Sequence, residues 1–466
     1  MLSSSSPLRA LTAALLFTAL LIGGCQSPTP SGTASSAPID AASVDDAVIY
    51  EMFVPDFSPA GTFRGAMARF DHLESLGVNT IWLMPIHPIG KERAKTDIGP
   101  LGSPYSIRDF YAVNPDYGTE ADFRAFVDAA HARDMRVIID LVTNHTAWDH
   151  PWLDEHPEWY EDGPINGFTV PVMDGDTTDW TDVVQLDYDN PELRAEMIAM
   201  MQYWVRTFNI DGYRADVAGL VPIDFWARAI DSLEAVKDPV FMLAEDESPA
   251  MHEAGFDLTY AWPFYSGMVE TWQDGRSVSD LVETIESVED SLPPGALRMR
   301  FSTNHDETAW DAPPPELFGG RRGSQAAFVL ATTLPGVPLI YNGQELGIAE
   351  PVPFFEATPY DWSASPDSTL MSFYTAYMDV YTGSAALRSG TLDILTPNAD
   401  DALLYRRVAD AEELLIAVNV RDAEVRIDVP ADHQGRTWTD VFSGDTVSPS
   451  AFTLAPYAYR ILRAAE

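Results

Sequence analysis

The chain has 466 residues, 46% of them hydrophobic, and 71 acidic against 28 basic residues give it a formal net charge of -43. That length and apolar content allow a large core and about two to three domains. So acidic a chain repels a phosphate backbone, which excludes a nucleic-acid partner. The only lysines are Lys91, Lys95 and Lys237, so arginine carries nearly all the positive charge. An acidic surface poor in lysine resembles those of proteins from high-salt habitats, where a Debye length of about 3 Å at 1 M salt suppresses self-repulsion.

In chain order, Arg9 precedes an apolar run from Ala10 to Ile22. The run is too short for the roughly 20 residues that span a bilayer, and it matches the apolar core of a signal peptide. It ends in Leu21-Ile22-Gly23-Gly24-Cys25, which resembles a bacterial lipoprotein signal cleaved before the chain's single cysteine. With one cysteine, no intrachain disulfide can form. Residues 1–25 are therefore expected to direct export, with a lipid on Cys25 anchoring the protein to the bacterial cell envelope. Residues 26–46 are rich in Ser, Thr, Pro and Ala and read as a flexible tether.

From residue 47 to 386, short apolar runs alternate with amphipathic helical stretches. The runs are VIYEMFV, VNTIWLMPI, RVIIDLVTNH, GYRADV, VFMLAED, FDLTYAW, LRMRFSTN and VPLIYNG. Eight strands alternating with helices predict an α/β fold, a (β/α)8 TIM barrel. The connection after the third strand, residues 146–190, is long and rich in Asp, Trp and Pro, and reads as a small inserted subdomain. Residues 387–466 lose the helical period. ALLYRRV, ELLIAVNV, EVRIDV, TWTDVFSG and AFTLAPYAYRIL predict a C-terminal antiparallel β-sandwich.

Three of the barrel strands run into a carboxylate where they meet solvent: Asp216 after GYRA, Glu245 after FMLA and Asp306 after FSTNH. Strand tips at the C-terminal face of a barrel are where such a fold builds its active site. Three acids at one rim suit acid/base and nucleophilic work on a sugar acetal, whose leaving oxygen needs a proton while a carboxylate supports the oxocarbenium-like centre. Arg214, two residues before Asp216, points to the same face and can hold that carboxylate charged.

Four segments in order, DLVTNH (140–145), GYRADVAG (212–219), LAED (243–246) and STNHDE (302–307), resemble those of the α-amylase family of retaining glycoside hydrolases. TIWLMP, QLDYDNPELR and GVPLIYNGQE add to the resemblance, which runs from about Val48 to the C-terminus. It implies a secreted α-amylase hydrolysing α-1,4 bonds of an α-glucan polysaccharide or maltooligosaccharide. The alternatives are an α-glucosidase, cyclomaltodextrinase or glucanotransferase, or a non-catalytic binding relative. It further implies Asp216 as nucleophile, Glu245 as general acid and base, and Asp306 as a third acid on the sugar hydroxyls. Tyr105, His145, Arg214 and His305 take the substrate-binding places, Tyr105 by stacking and the two histidines as neutral imidazoles. Asp140 is a brace for its strand end.

Asn144 resembles a calcium ligand of the family, so calcium is the one cofactor to consider; no organic cofactor is expected, and the chain is read as a monomer. The pattern departs at Gly219 and Leu220, where many members have lysine and histidine. That removes a contact to the leaving-group side of the substrate.

Overall fold

The protein is described by a computed structural model covering residues 44–360, 362, 368–396 and 398–465. The export segment, Cys25 and the tether up to residue 43 lie outside the described residues. The last three residues read as tether, Val44–Asp46, form a 3-10 turn that is tied down. Asn79 Nδ2 donates to the Asp46 carbonyl at 2.8 Å, and Arg388 pairs with the Asp46 carboxylate. No helix among the described residues is long and apolar enough to cross a membrane.

Eight parallel strands close into a barrel: β1 (Ile49–Met52), β2 (Thr80–Leu83), β3 (Arg136–Leu141), β4 (Gly212–Ala215), β5 (Phe241–Ala244), β6 (Leu258–Tyr260), β7 (Leu297–Arg300) and β8 (Val337–Tyr341). Each pairs with the strands before and after it in sequence, and β8 closes on β1 with Glu51 opposite Tyr341. Both faces of these strands are covered, which is why they read as nearly unbroken apolar runs. The period of two still sorts their side chains. On β4, Tyr213 points outward and its hydroxyl donates to the Met201 carbonyl of a covering helix at 2.6 Å, while Arg214 points into the barrel.

The covering helices have readable signals. In α1 (Glu120–His131), Thr119 and Asp122 form a reciprocal capping box, and Phe123, Phe126, Val127 and Ala130 fall on one buried face. In α2 (Pro191–Phe208), Asn190 caps the start ahead of a proline, and Asn209 in the left-handed region ends it. Between β3 and α2 the long excursion makes its own small pairings. His145–Ala147 runs antiparallel to Val183–Gln185, and this holds His145 at the barrel mouth.

The C-terminal segment builds a six-stranded antiparallel sheet in the order β9 (Thr391–Ile394), β10 (Ala402–Ala409), β11 (Glu412–Asn419), β16 (Tyr459–Ala464), β13 (Trp438–Asp440), β14 (Thr446–Val447). Facing it is a two-stranded sheet of β12 (Val425–Asp428) and β15 (Ala451–Leu454). Alternation along β10 and β11 divides the labour. Leu404, Leu415 and Ala417 pack with Ile427, Phe452 and Trp438 between the sheets, whereas Leu403, Tyr405, Leu414 and Ile416 join the barrel's core. Arg407 is buried at that junction and donates to the Thr333 and Gly390 carbonyls at 2.7 and 2.8 Å.

Gly212 opens β4 at φ 153°, and a Cβ there would fall 1.8 Å from the Phe241 carbonyl oxygen of β5. The two strands that carry Asp216 and Glu245 approach this closely only because the side chain is absent. Gly212→Ala is expected to cost at least about 2 kcal/mol in denaturant unfolding, from overpacking against backbone that cannot yield. Gly435, also at positive φ (77°), has nothing near its Cβ position. Gly435→Ala should cost only the conformational part, about 1 kcal/mol.

Candidate active site

Asp216 and Glu245 stand one residue beyond β4 and β5. Their backbones stay in the ladder, with Asp216 N–H donating to the Leu141 carbonyl and Glu245 N–H to the Ala215 carbonyl, each at 3.0 Å. Asp306 is positioned differently. Asn304 Oδ1 accepts from the Asp306 and Glu307 N–H groups at 2.9 and 3.0 Å, which turns the chain into a short π-helical segment, Glu307–Asp311. The structure brings Asp216, Glu245 and Asp306 to one cleft of about 490 Å³, together with Tyr105, His145 and His305. Arg214 and Asn144 are not among the residues lining it.

Arg214 lies underneath, fully buried, and its polar contacts are with the acids and Tyr260. Its Nη1 donates to Asp140 Oδ1 at 2.9 Å and to Asp216 Oδ1 at 3.0 Å, and its Nε donates to the Tyr260 hydroxyl at 3.1 Å. Its Nη2 is 2.8 Å from Glu245 Oε1, close but not aligned as a hydrogen bond. The guanidinium also sits 5.0 Å from the centre of the Trp82 ring, a further favourable contact for a buried cation. Glu245 Oε2 accepts from the Val217 N–H at 2.6 Å. Val217 delivers that N–H from the left-handed region (φ 39°, ψ 48°), a strained place for a β-branched residue.

A second cation stands across the cleft. His305 Nδ1 is 2.5 Å from Glu51 Oε1, and Nε2 is 2.7 Å from the Tyr105 hydroxyl and 3.3 Å from Asp306 Oδ2. Burial opposes its charge, but Asp306 and Glu51 outweigh burial and raise its pKa to about 9. The expectation of a neutral imidazole is therefore corrected: its buried partner Glu51 lies far away in sequence. At His145 burial lowers the pKa to about 4, which favours the neutral ring. Tyr105 stacks on His305 at 5.5 Å and 20° rather than standing free, and its hydroxyl donates to Asp140 Oδ2 at 3.2 Å.

Five carboxylates, Glu51, Asp140, Asp216, Glu245 and Asp306, thus surround two cations, Arg214 and His305. Burial pushes Asp216 and Glu245 upward; the charge of Glu245 adds to the push on Asp216, and Arg214 pulls both down. Such a pair titrates as a unit and holds a proton where isolated carboxylates would not. The aligned bond from Arg214 favours the ionised form of Asp216, and the Val217 N–H does the same for Glu245.

The sequence reading missed Glu51 and the aromatic lip of the cleft, Trp310, Phe354 and Phe355. Trp310 is 59% exposed on the π-helical turn, and both phenylalanine rings meet it edge to face at 6.0 Å. The 11% aromatic content of the chain is the one sequence signal for it. At Gly219 a Cβ would fall 2.2 Å from Asp246 Oδ2, so any larger residue there requires that side chain to move. Around Asn144 the contacts are hydrogen bonds, with Oδ1 accepting from Gln185 at 3.3 Å and Nδ2 facing His145 Nδ1 at 3.3 Å. Among the described residues no group of three or more His, Cys, Asp or Glu is placed to hold a metal. Carboxylates of the described residues thus form no cluster at Asn144, whose side-chain contacts are with Gln185 and His145.

Removing Arg214 leaves buried carboxylates uncompensated. Arg214→Met is expected to cost about 3–5 kcal/mol at pH 7.5. The freed acids would have folded-state pKa values above their unfolded ones near 4, so the folded state takes up protons and the deficit shrinks as pH falls toward 5. Urea unfolding at the two pH values measures this. An equal deficit at both would mean that the guanidinium does not balance those charges.

Comparison with known proteins agrees with this geometry. Residues 33–171 and 177–376 match the model of the α-amylase catalytic domain, and residues 392–461 match that of the maltogenic amylase C-terminal domain. The chain is 29% identical over 436 residues to α-amylase MalA of Haloarcula japonica, covering 89% of this chain and 61% of that one. It is 26% identical to a trehalose synthase of Thermus thermophilus, covering 89% of this chain and 55% of that protein. The chain thus spans a little over half to three fifths of these two relatives. Among solved structures, the maltogenic α-amylase AmyB of Thermotoga neapolitana superposes with a TM-score of 0.80 at 29% identity, covering 91% of this chain and all of that one. With a closed eight-stranded barrel, an antiparallel β domain behind it and most of its length matched by the catalytic-domain model, the chain belongs to the α-amylase family of glycoside hydrolases.

Proposed function

We propose that the protein is an exported α-amylase that hydrolyses α-1,4 bonds of starch-like glucans with retention of configuration. The observation that carries this reading is the convergence of Asp216, Glu245 and Asp306 on one cleft above a shared buried guanidinium. In this reading Asp216, held ionised by Arg214, attacks the anomeric carbon while Glu245 gives its proton to the departing glycosidic oxygen. Glu245, now a carboxylate and steadied by the Val217 N–H, takes a proton from water, which releases the glucosyl group from Asp216. Asp306 and the two histidines hold the sugar hydroxyls.

A second reading, transfer to a sugar acceptor in place of water, is favoured by the apolar lip. Trp310, Phe354, Phe355 and the exposed Ile98 offer flat apolar surface to a second sugar. The relative named as a trehalose synthase points the same way. Export and lipid anchoring through Cys25 rest on the N-terminal sequence. Adaptation to high salt rests on the charge of -43 and the three lysines.

Asp216→Asn and Glu245→Gln are each expected to lower kcat on soluble starch by at least about three orders of magnitude while the variants stay folded by circular dichroism at the assay temperature. Full activity in either variant would remove the assignment. The early product mixture separates the readings. A spread of maltooligosaccharides supports endo hydrolysis, and products longer than a maltotriose substrate mean transfer. Trp310→Ala should raise KM and reduce transfer more than hydrolysis.

A further inference from the structure

We propose that Glu51 is a positioning residue for this chemistry, one that acts through His305 by fixing it as an imidazolium and so orienting the Tyr105 hydroxyl toward Asp140. The proposal rests on the glycosidase reading of the cleft. Glu51 lies on β1, fully buried and absent from the cleft lining, so it reaches substrate only through another group. A lone carboxylate in such a place is costly unless something uses its charge.

The hydrogen-bond directions decide what it does. A phenol has one proton to give, and the Tyr105 hydroxyl gives it to Asp140 Oδ2, which also accepts from Trp82 Nε1 at 3.2 Å. The 2.7 Å contact between Tyr105 and His305 Nε2 must then be donated by the ring nitrogen. On the other side, Nδ1 faces the Glu51 carboxylate at 2.5 Å, and an ionised carboxylate only accepts. Burial raises the Glu51 pKa and His305 pulls it down; with Glu51 ionised, both ring nitrogens carry protons. A neutral ring protonated on Nδ1 alone would draw the tyrosine proton to Nε2 and break the bond to Asp140. The result is an ordered chain across the barrel: His305 donates to Glu51 and to Tyr105, Tyr105 donates to Asp140, and Arg214 donates to Asp140 and Asp216.

The charged and titratable groups facing His305 are Glu51 from β1, Tyr105 from the loop after β2, Asp140 from β3, Arg214 from β4, Glu245 from β5 and its neighbour Asp306. Trp82 and Phe354 contact it edge to face at 5.9 and 5.4 Å and carry no charge. Glu51 makes the shortest contact to the ring, and like Asp140 it is sealed from solvent, so its charge is little screened.

Glu51→Gln keeps the shape and removes the charge. In kcat/KM against pH on a maltooligosaccharide, its alkaline limb is expected to move toward acid by about 1–2 pH units, so that its deficit against wild type deepens on the order of tenfold per unit above the limb. A structural role alone would lower the whole profile without moving the limb. Nitrogen NMR of the wild-type ring, assigned by the signals lost in His305→Gln, tests the same point even if Glu51→Gln fails to fold, and should show both nitrogens protonated at pH 8. An unshifted limb in Glu51→Gln, or a neutral His305 ring at pH 7 in wild type, would overturn the positioning role. Wild-type protein that cleaves no α-glucan would overturn the glycosidase reading and the catalytic role with it.

Discussion

The structure of the site depends on the contact between one buried guanidinium and the carboxylates around it. Arg214 is fully buried on β4, where it has no water to solvate it, and its charge is balanced by Asp140, Asp216 and Glu245. Breaking such a set costs several kcal/mol, so it persists only where the surrounding barrel holds every member in place. The barrel does this through register. Asp140 and Arg214 sit opposite each other on β3 and β4, and Asp216 and Glu245 leave adjacent strands while still bonded to the ladder. Position along the strand therefore sets which acid receives the aligned hydrogen bond from Arg214.

The second half of the site repeats the device with a histidine. Glu51 and Asp306 hold His305 as a cation, and Tyr105 joins the two halves through Asp140. The two buried basic side chains thus stand on opposite sides of the cleft that Asp216, Glu245 and Asp306 share. Backbone strain contributes as well, since the left-handed Val217 directs its N–H at Glu245, where a relaxed residue would not.

Much of this was legible in the chain. Apolar runs ending in an acid located β4 and β5, because a covered parallel strand must be apolar until it meets the cleft. The pairing of Arg214 with Asp216 could be read from a spacing of two. The C-terminal sheets were legible from alternation in ALLYRRV and ELLIAVNV, where one face meets the barrel and the other the small sheet. Glu51 was not legible. A single acid inside VIYEMFV has no local partner, and its histidine lies 254 residues away. The charge on His305 was misread for the same reason, since a pKa depends on neighbours that only the closed barrel supplies. Trp310 was hidden because a π-helical turn leaves no periodic trace in so short a segment.

The claim at the centre is that Arg214 makes Asp216 the ionised nucleophile. The most direct measurement is peptide mapping by mass spectrometry after treating the wild-type protein with an activated fluoroglucosyl fluoride, which traps the covalent intermediate. The account predicts one glucosyl-derived adduct on Asp216, formed at a rate that falls when competing maltooligosaccharide is present. An adduct on Glu245, or turnover of substrate with inversion and no adduct at all, would contradict it.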